Sequence, residues 1–158
     1  LYHLLLELLP VKRYTIKSLE EEIDEIIKNG KILESDKKII RLEDIFSYLT
    51  SDIYENLLYS DKYYKEMPIN FYIPSSYYDN SLKSGNILSS GVIDLLFITN
   101  DTYNIVDYKT DKVSSMDELK DLYKIQLDLY EIALREKMNA KNVKKFIYSI
   151  YLGKFIEV

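Results

Sequence analysis

The sequence predicts a single α/β domain, residues 1–158, in which a β-sheet is flanked by helices and preceded by a helical insertion. Helical patterns and runs of β-branched and aromatic residues follow the order helix, three strands, helix, strand. The 158 residues are 47% apolar and 13% aromatic, which is enough for one hydrophobic core. The chain opens inside a helical pattern without an initiator methionine, so we expect it to be part of a longer protein.

The N-terminal part of the chain is predicted to be helical. A first helix ends before Pro10, because proline cannot continue it. The segment 15–60 then carries amphipathic stripes without strand signals and is predicted as the helical insertion. Contact with the remainder of a larger protein is the role we expect for it. Its helices are predicted at Ile16–Asn29, from a cap at Ser35 and from about Asp52 to Tyr59, with a break of the second near Arg41–Leu42 left open.

The first strand is predicted from Tyr63 to Ile73, where Pro68 indicates a bulge or an edge position. The following segment, Pro74–Ser90, is rich in serine, tyrosine and asparagine and is predicted as a long loop. Tyr77 and Tyr78 in this segment could stack on unpaired bases. With 16 tyrosines in the chain, composition explains them equally well.

A β-hairpin is predicted within Gly91–Thr110, because two β-branched and aromatic runs flank a polar turn. A two-residue turn would pair Ile98 with Tyr103. The same register places Asp94 opposite Asp107, with Cβ atoms about 5 Å apart. Two carboxylates at this distance in an apolar sheet must share a proton, pair with a cation or bind a metal.

Lys109 lies two residues beyond Asp107 and therefore points to the same face of the strand. Carboxylate oxygens suit Mg²⁺ or Mn²⁺, and a lysine beside the metal can polarise a water or stabilise charge on a phosphate. A single Asp-x-Lys is most often a structural ion pair. The second aspartate, Asp94, favours metal-assisted phosphodiester hydrolysis instead.

A long helix is predicted at Met116–Met138, followed by strands at Phe146–Leu152 and Phe155–Val158. Gln126 lies in the middle of its apolar face. A buried amide needs hydrogen-bond partners, so either a polar site or an ordinary core glutamine accounts for it. The residues predicted on this face are Leu119, Leu122, Tyr123, Gln126, Tyr130 and Ala133.

Two more polar residues are ambiguous from spacing alone. His3, the only histidine, is beside leucines. A histidine in such a setting is more often a core residue than a metal ligand. Glu66 on the first strand is equally well explained as an exposed strand residue.

Composition excludes several classes of protein. The chain has no cysteine, which excludes disulfides, zinc–thiolate sites and a cysteine-ligated iron–sulfur cluster. The net charge of −5 argues against tight autonomous binding of nucleic acid. No apolar run approaches about 18 residues, so we expect a soluble protein without a membrane span.

Three motifs carry a family resemblance: GVIDLL at 91–96, VDYKTD at 106–111 and QLDLY at 126–130. Together they resemble the PD-(D/E)xK nuclease superfamily in its RecB-like branch, and within it the C-terminal nuclease domains of AddA proteins from AddAB-type helicase-nucleases. The likeness extends over nearly the whole chain. It implies a restriction-endonuclease-like core with a mixed central sheet, and Mg²⁺- or Mn²⁺-dependent hydrolysis of DNA during double-strand break repair by recombination.

The resemblance also implies roles for individual residues. Lys109 would orient or activate the attacking water, and Glu66 would assist the metal or its waters. Gln126 and Tyr130 match a Gln-x-x-x-Tyr signature and would hold the DNA strand or the catalytic lysine. The implied metal ligands are His3, Asp94, Asp107 and the carbonyl of Tyr108.

Partners follow from the resemblance as well. Helicase domains of the same parent chain and an AddB-like second subunit would deliver a DNA single strand, in the cytoplasm at the nucleoid. One alternative is a restriction or junction-resolving endonuclease of the same superfamily. Another is an inert nuclease-like module that only binds DNA or a partner. An inert copy should have lost a metal ligand or the lysine, yet Asp94, Asp107 and Lys109 are all present.

Overall fold

The computed structural model describes residues 1–77, 79–81 and 83–158. It confirms the predicted α/β fold, with the elements in the expected order. Short 3₁₀ helices lie at Glu34–Lys38 and Ser75–Tyr77. The α-helices are α1 Tyr2–Leu8, α2 Ile16–Lys28, α3 Leu42–Leu49, α4 Asp52–Leu58 and α5 Met116–Lys137. The strands are β1 Lys62–Pro74, β2 Asn86–Thr99, β3 Thr102–Lys109, β4 Asn142–Ser149 and β5 Lys154–Glu157.

The strands form one five-stranded sheet in sequential order, β1-β2-β3-β4-β5. All neighbours are antiparallel except β3 and β4, which are parallel and are joined by α5. The sheet is therefore mixed, as predicted. β3 lies at its centre, and Asp107 and Lys109 are at the carboxyl end of this strand.

The sheet separates two hydrophobic cores. One core packs α1 to α4 against the sheet and includes Val106 and Tyr108 of β3. The other packs α5 against the opposite face and includes Ile105 and Ile147. Because side chains alternate along a strand, Asp107 shares the α5 face with Ile105.

The β2–β3 hairpin has the predicted register. Its ladder runs from the pair Leu95–Val106 to the pair Thr99–Thr102 around a two-residue turn. The turn residues Asn100 and Asp101 have φ of 48° and 60°, the left-handed values that this tight turn requires and that asparagine and aspartate tolerate.

Glu66 has a φ of 47°. At this residue the β1–β2 strand pair turns over, so that its two faces exchange sides. Lys65 pairs with Leu95 and Met67 pairs with Ile93, so no residue is inserted and the strand has no bulge. Leu95 belongs to the core beneath α1, whereas Ile93 belongs to the core beneath α5. The part of the strand pair beyond Glu66, residues 67–74 and 86–93, is called the outer arm. It is turned over relative to the rest of the sheet and curves towards α5.

One predicted boundary of the segment 74–90 is wrong. β1 ends at Pro74, within one residue of the prediction, but β2 already begins at Asn86, so the segment is not loop throughout. Ile69, Phe71 and Ile73 alternate inwards into the α5 core, which stabilises this arm as a strand pair. Tyr77 is 52% exposed, and Tyr78 lies outside the described residues.

Segment 15–60 is helical, as predicted, but its second α-helix begins at Leu42, near the break that the sequence left open, and not at Ser35. Residues 34–38 form only a 3₁₀ turn without buried side chains. The segment ESDKK offers no apolar residue to anchor a longer helix on the core. α2, in contrast, begins with a capping box between Thr15 and Ser18.

The insertion contacts the central strand through tyrosines. The Tyr48 hydroxyl of α3 lies 2.7 Å from the Tyr108 hydroxyl in a buried hydrogen bond. The Tyr48 ring also packs edge-on against Tyr54, Tyr108 and Tyr148. The insertion is therefore part of the core that supports the end of β3. No helix in the described part of the chain is long and apolar enough to cross a membrane.

Candidate active site

Asp107 and Lys109 form an ion pair at the end of the central strand. The Lys109 Nζ lies 2.7 Å from Asp107 Oδ2, and Asp107 is 2% exposed. Asp107 Oδ2 is buried, and the Lys109 ammonium group is its close partner. Burial raises the pKa of Asp107 to about 6; Lys109 opposes this rise, and the charge of Asp94 adds to it.

The Asp94 carboxylate also lies at the end of β3, through a contact that strand pairing alone does not predict. Because the ladder ends at Leu95–Val106, Asp94 and Asp107 are not one of its cross-strand pairs. The Tyr108 N–H instead donates to Asp94 Oδ2 at 2.7 Å. The carboxylate thus replaces a backbone acceptor at the point where the strand pair turns over.

His3 approaches from α1 on the other side of Tyr108. Its Nε2 lies 2.8 Å from the Tyr108 carbonyl oxygen and 3.5 Å from Asp94 Oδ2. The interaction with Asp94 raises the pKa of His3 above its usual value. The imidazole, the carbonyl and the Asp94 carboxylate therefore converge on one point.

Lys65 fixes the helix that carries His3 and is not among the predicted site residues. Its Nζ donates to the carbonyls of Leu6 at 2.8 Å and Glu7 at 3.2 Å, and also to that of Leu9. These are the free carbonyls at the end of α1. Burial lowers the pKa of Lys65 to about 8. A lysine at an inward-facing strand position is the signal that could have indicated it.

Glu66 lies at the turnover point, next to Lys65. Burial raises its pKa, and the negative charges of Asp94 and Glu7 raise it further, whereas His3 lowers it. The predicted site glutamate is therefore close enough to Asp94 and His3 to interact with both electrostatically.

Gln126 and Tyr130 of α5 contact each other as predicted from their spacing. Gln126 Nε2 donates to the Tyr130 hydroxyl at 2.9 Å. Burial raises the pKa of Tyr130, and the charges of Asp107 and Asp94 contribute to the rise, so this hydroxyl lies near both carboxylates. A Cβ on Gly91 would lie 2.6 Å from Tyr130 Cε1 and 2.8 Å from its hydroxyl oxygen. Gly91 therefore leaves room for the tyrosine, as a glycine within a strand indicates.

The likeness to known proteins extends over nearly the whole chain. The family model described as the PD-(D/E)XK nuclease superfamily matches residues 2–155. This chain belongs to the PD-(D/E)XK nuclease superfamily. The mixed sheet agrees with the restriction-endonuclease-like fold of such proteins, and the predicted family is confirmed.

Three relatives are each named as a component of an "ATP-dependent helicase/nuclease". The chain is 34% identical to the protein of Staphylococcus haemolyticus over 97% of its length. It is 36% identical to that of Ligilactobacillus salivarius over 98%, and 30% identical to one of Clostridium botulinum over 99%. In each case it covers 13% of the relative.

PD-(D/E)XK nucleases generally use divalent metal ions. Within the described ranges, no group of three or more His, Cys, Asp or Glu side chains is arranged to hold a metal, because Asp107 is turned to Lys109 and His3 to a carbonyl. The donors themselves fit a hard cation: two carboxylates, the Tyr108 carbonyl and one imidazole. The observation that favours this fit is that Asp94 and His3 both lie against the Tyr108 segment, next to buried Asp107.

Gly91→Ala should disturb this PD-(D/E)XK site without touching a metal ligand. The added methyl group displaces the Tyr130 ring and breaks its hydrogen bond with Gln126. Overpacking of this kind costs about 1–3 kcal/mol, so we expect the melting temperature to fall by about 5 °C. Thermal unfolding measures this change, with Val92→Ala as the neighbouring control because Val92 is exposed. An unchanged melting temperature for Gly91→Ala would contradict the crowding argument.

The face predicted for α5 is wrong at Leu122, which is 60% exposed. The buried residues of the helix include Leu127 and Leu134 instead. The outer β1–β2 arm does not close over the Leu122 side, so a groove of ≈ 490 Å³ remains between α5 and the arm. It contains Gln126 and Tyr130, and none of the described residues that line it is charged.

Proposed function

We propose that this chain is a divalent-metal-dependent deoxyribonuclease module that hydrolyses phosphodiesters in DNA single strands. The observation that carries the proposal is the convergence of Asp94, Asp107 and Lys109 on the Tyr108 segment at the end of the central strand. Partly buried Asp94 also holds the Tyr108 N–H, but the buried Asp107 and its partner Lys109 give the fold little that hydrophobic residues would not supply better. Their retention in a PD-(D/E)XK chain argues for catalysis and against an inert module.

The metal would be held by Asp94, Asp107 and the Tyr108 carbonyl, with His3 as a further ligand. When bound, a divalent ion supplies charge stabilisation at the phosphate and lowers the pKa of an attacking water. Lys109 lies beside Asp107 and donates hydrogen bonds to the attacking water or to a phosphate oxygen. Glu66 assists through its proximity to Asp94 and His3.

Gln126 and Tyr130 have a positioning role in this proposal. The amide donates to the tyrosine hydroxyl at 2.9 Å, so the hydroxyl oxygen is held while its own proton can still be donated. It can then donate a hydrogen bond to a non-bridging phosphate oxygen. A group held in place before the reaction begins contributes more than one that must be ordered during it.

The uncharged groove beside Tyr130 supports a single-stranded substrate. Neutralisation of phosphates cannot come from a surface without cations on a chain of net charge −5. Leu122 and Ile125 are exposed in the groove and offer apolar contact to bases, and bases are accessible in a single strand rather than in a duplex. A strand delivered by another part of the protein needs few phosphate contacts here.

The relatives named as components of a helicase/nuclease support a setting for this activity. We infer that helicase domains of a parent chain unwind DNA and pass one strand to this module. A second, AddB-like subunit would complete the enzyme. The activity then belongs to recombinational repair of double-strand breaks in the bacterial cytoplasm.

Single-turnover cleavage of an end-labelled oligonucleotide tests the proposal. We expect Mg²⁺-dependent cutting of the single strand, with slower cutting of the same sequence as a blunt duplex. Asp94→Asn should reduce the rate at least about a hundredfold, because it removes an anionic ligand. Asp101→Asn at the opposite end of the hairpin is the matched control and should cut normally. Binding of DNA without cutting by the unsubstituted chain would favour the inert module instead.

A further inference from the structure

The ammonium group of Lys109 has a second neighbour besides Asp107. Its Nζ lies 3.9 Å from the centroid of the Tyr123 ring, a geometry in which the negative ring face attracts a cation. The lysine side chain is only 15% exposed, so water weakens this attraction little. Lys109 is thus held between a carboxylate and an aromatic face.

The Tyr123 ring is itself fixed. Its hydroxyl donates to Asp111 Oδ1 at 3.1 Å. Asp111 ends the VDYKTD segment that contains Lys109, and Tyr123 lies one helical turn before Gln126 on α5. The aspartate therefore ties the helix to the same segment whose lysine the ring contacts.

Other lysine–tyrosine pairs in the described residues are looser. Lys62 Nζ lies 5.0 Å from the Tyr64 ring, and Lys12 Nζ lies 5.2 Å from the Tyr14 ring. The shorter distance at Lys109 occurs where the proposed reaction needs a fixed ammonium group.

The neutral Tyr123 ring can hold the Lys109 ammonium group without competing for a metal ion. A divalent cation on Asp107 would take up much of the carboxylate's charge and would repel the nearby ammonium group. A second carboxylate could hold the lysine but would compete for the metal. The face of Tyr123 attracts the ammonium group without offering an anionic ligand.

We propose that Tyr123 and Asp111 are positioning residues that keep the Lys109 ammonium group at the reacting phosphate when metal is bound. Asp111 orients the tyrosine ring, and the ring holds the lysine. This inference rests on the proposed nuclease function. It adds two residues, Tyr123 and Asp111, to those that act on the reaction.

Substitutions of Tyr123 test the proposal through two independent measurements. Tyr123→Leu should lower kcat about tenfold, the effect of losing a partly buried cation–π contact, with little change in KM or in the thermal shift produced by Mn²⁺. Tyr123→Trp restores a ring face and should recover most of the rate. Tyr123→Phe and Asp111→Ala each remove the hydrogen bond that orients the ring, and each should lower kcat about threefold. The double variant should have the same kcat as either single variant.

Nuclear magnetic resonance provides the measurement that does not depend on cleavage. The ε-methylene protons of Lys109 should show an upfield ring-current shift with and without Mg²⁺. The shift should disappear in Tyr123→Leu and persist in Tyr123→Trp. Tyr64→Leu, which removes the looser pair with Lys62, is the matched control and should leave the Lys109 resonance and kcat unchanged.

The two proposals fail in different ways. If the unsubstituted chain does not cut DNA, the nuclease proposal fails, whereas the ring-current shift still reports on the lysine. If the chain cuts and Tyr123→Leu keeps its kcat, the positioning role is overturned. Equal losses in Tyr123→Leu and Tyr123→Trp, accompanied by a fall in melting temperature, would also overturn it in favour of a purely structural tyrosine.

Discussion

Asp107→Asn is expected to remove both DNA cleavage and stabilisation by metal. Its carboxylate is the most buried charged group at the candidate site, and an amide does not replace an anionic oxygen ligand for Mg²⁺. Cleavage should fall at least about a thousandfold, because the metal supplies the charge stabilisation. Mn²⁺ should raise the melting temperature of the unsubstituted chain with increasing concentration and should leave that of Asp107→Asn unchanged.

The same variant should be more stable than the unsubstituted chain in the absence of metal near neutral pH. The folded-state pKa of Asp107 is raised to about 6, above the ordinary value of about 3.9. The folded state therefore favours the protonated form of Asp107. The stability that this form contributes is fully present below about pH 4 and is lost as the pH rises through about 6. Above that pH, keeping the charge buried costs about 3 kcal/mol.

Urea unfolding at pH 4 and pH 7.5 in the presence of a chelator measures this difference. The advantage of Asp107→Asn should appear only at the higher pH, and Asp101→Asn should show no such trend. An advantage that is equal at both pH values would contradict the assignment of the raised pKa to Asp107. Equal stabilisation of both proteins by Mn²⁺ would place the metal elsewhere.

Lys109→Met is expected to separate chemistry from metal binding. Methionine keeps an apolar stem of similar length but has no charge to present to the attacking water or the phosphate. Cleavage at saturating Mg²⁺ should fall at least about a hundredfold. The thermal shift with Mn²⁺ should remain and should even increase, because a cation that repels the metal has been removed.

Lys112→Met is the matched control for this experiment, because Lys112 is exposed in the linker that follows the motif. It should cut at the unsubstituted rate. Near-normal cutting by Lys109→Met would exclude the lysine from the reaction and would leave the hairpin as a metal-binding element only. Loss of the Mn²⁺ shift in Lys109→Met would mean instead that the lysine maintains the ligand geometry.

Much of this fold follows from local patterns. The β2–β3 hairpin is predictable in its correct register because a short polar turn leaves few ways to pair two apolar runs. The spacing of Gln126 and Tyr130 places both side chains on one face of a helix, where they do form a hydrogen bond. These features depend on residues that are close in sequence.

The features that sequence patterns miss depend on contacts between distant segments. The turnover at Glu66 has no local signal, since glutamate rarely adopts a left-handed conformation, and it decides which side of α5 stays open near Leu122. Lys65 caps α1 from a strand more than fifty residues away. The ring contact between Tyr123 and Lys109 also requires α5 to pack directly over the end of β3.

The position of β3 limits how the candidate site can move. The strand pairs with β4 from Thr102 to Lys109 but with β2 only as far as Val106, and a hydrophobic core covers each of its faces. We expect the amide protons in its doubly paired part, residues 102–106, to exchange with solvent mainly in large openings of the fold. Asp107 and Lys109 follow this part on backbone that still pairs with β4, and on the β2 side the Tyr108 N–H is held by Asp94 instead. We therefore expect adjustment to a metal or a DNA strand to fall to side-chain rotation and to the β2 edge of residues 107–109, where the strand ladder has ended.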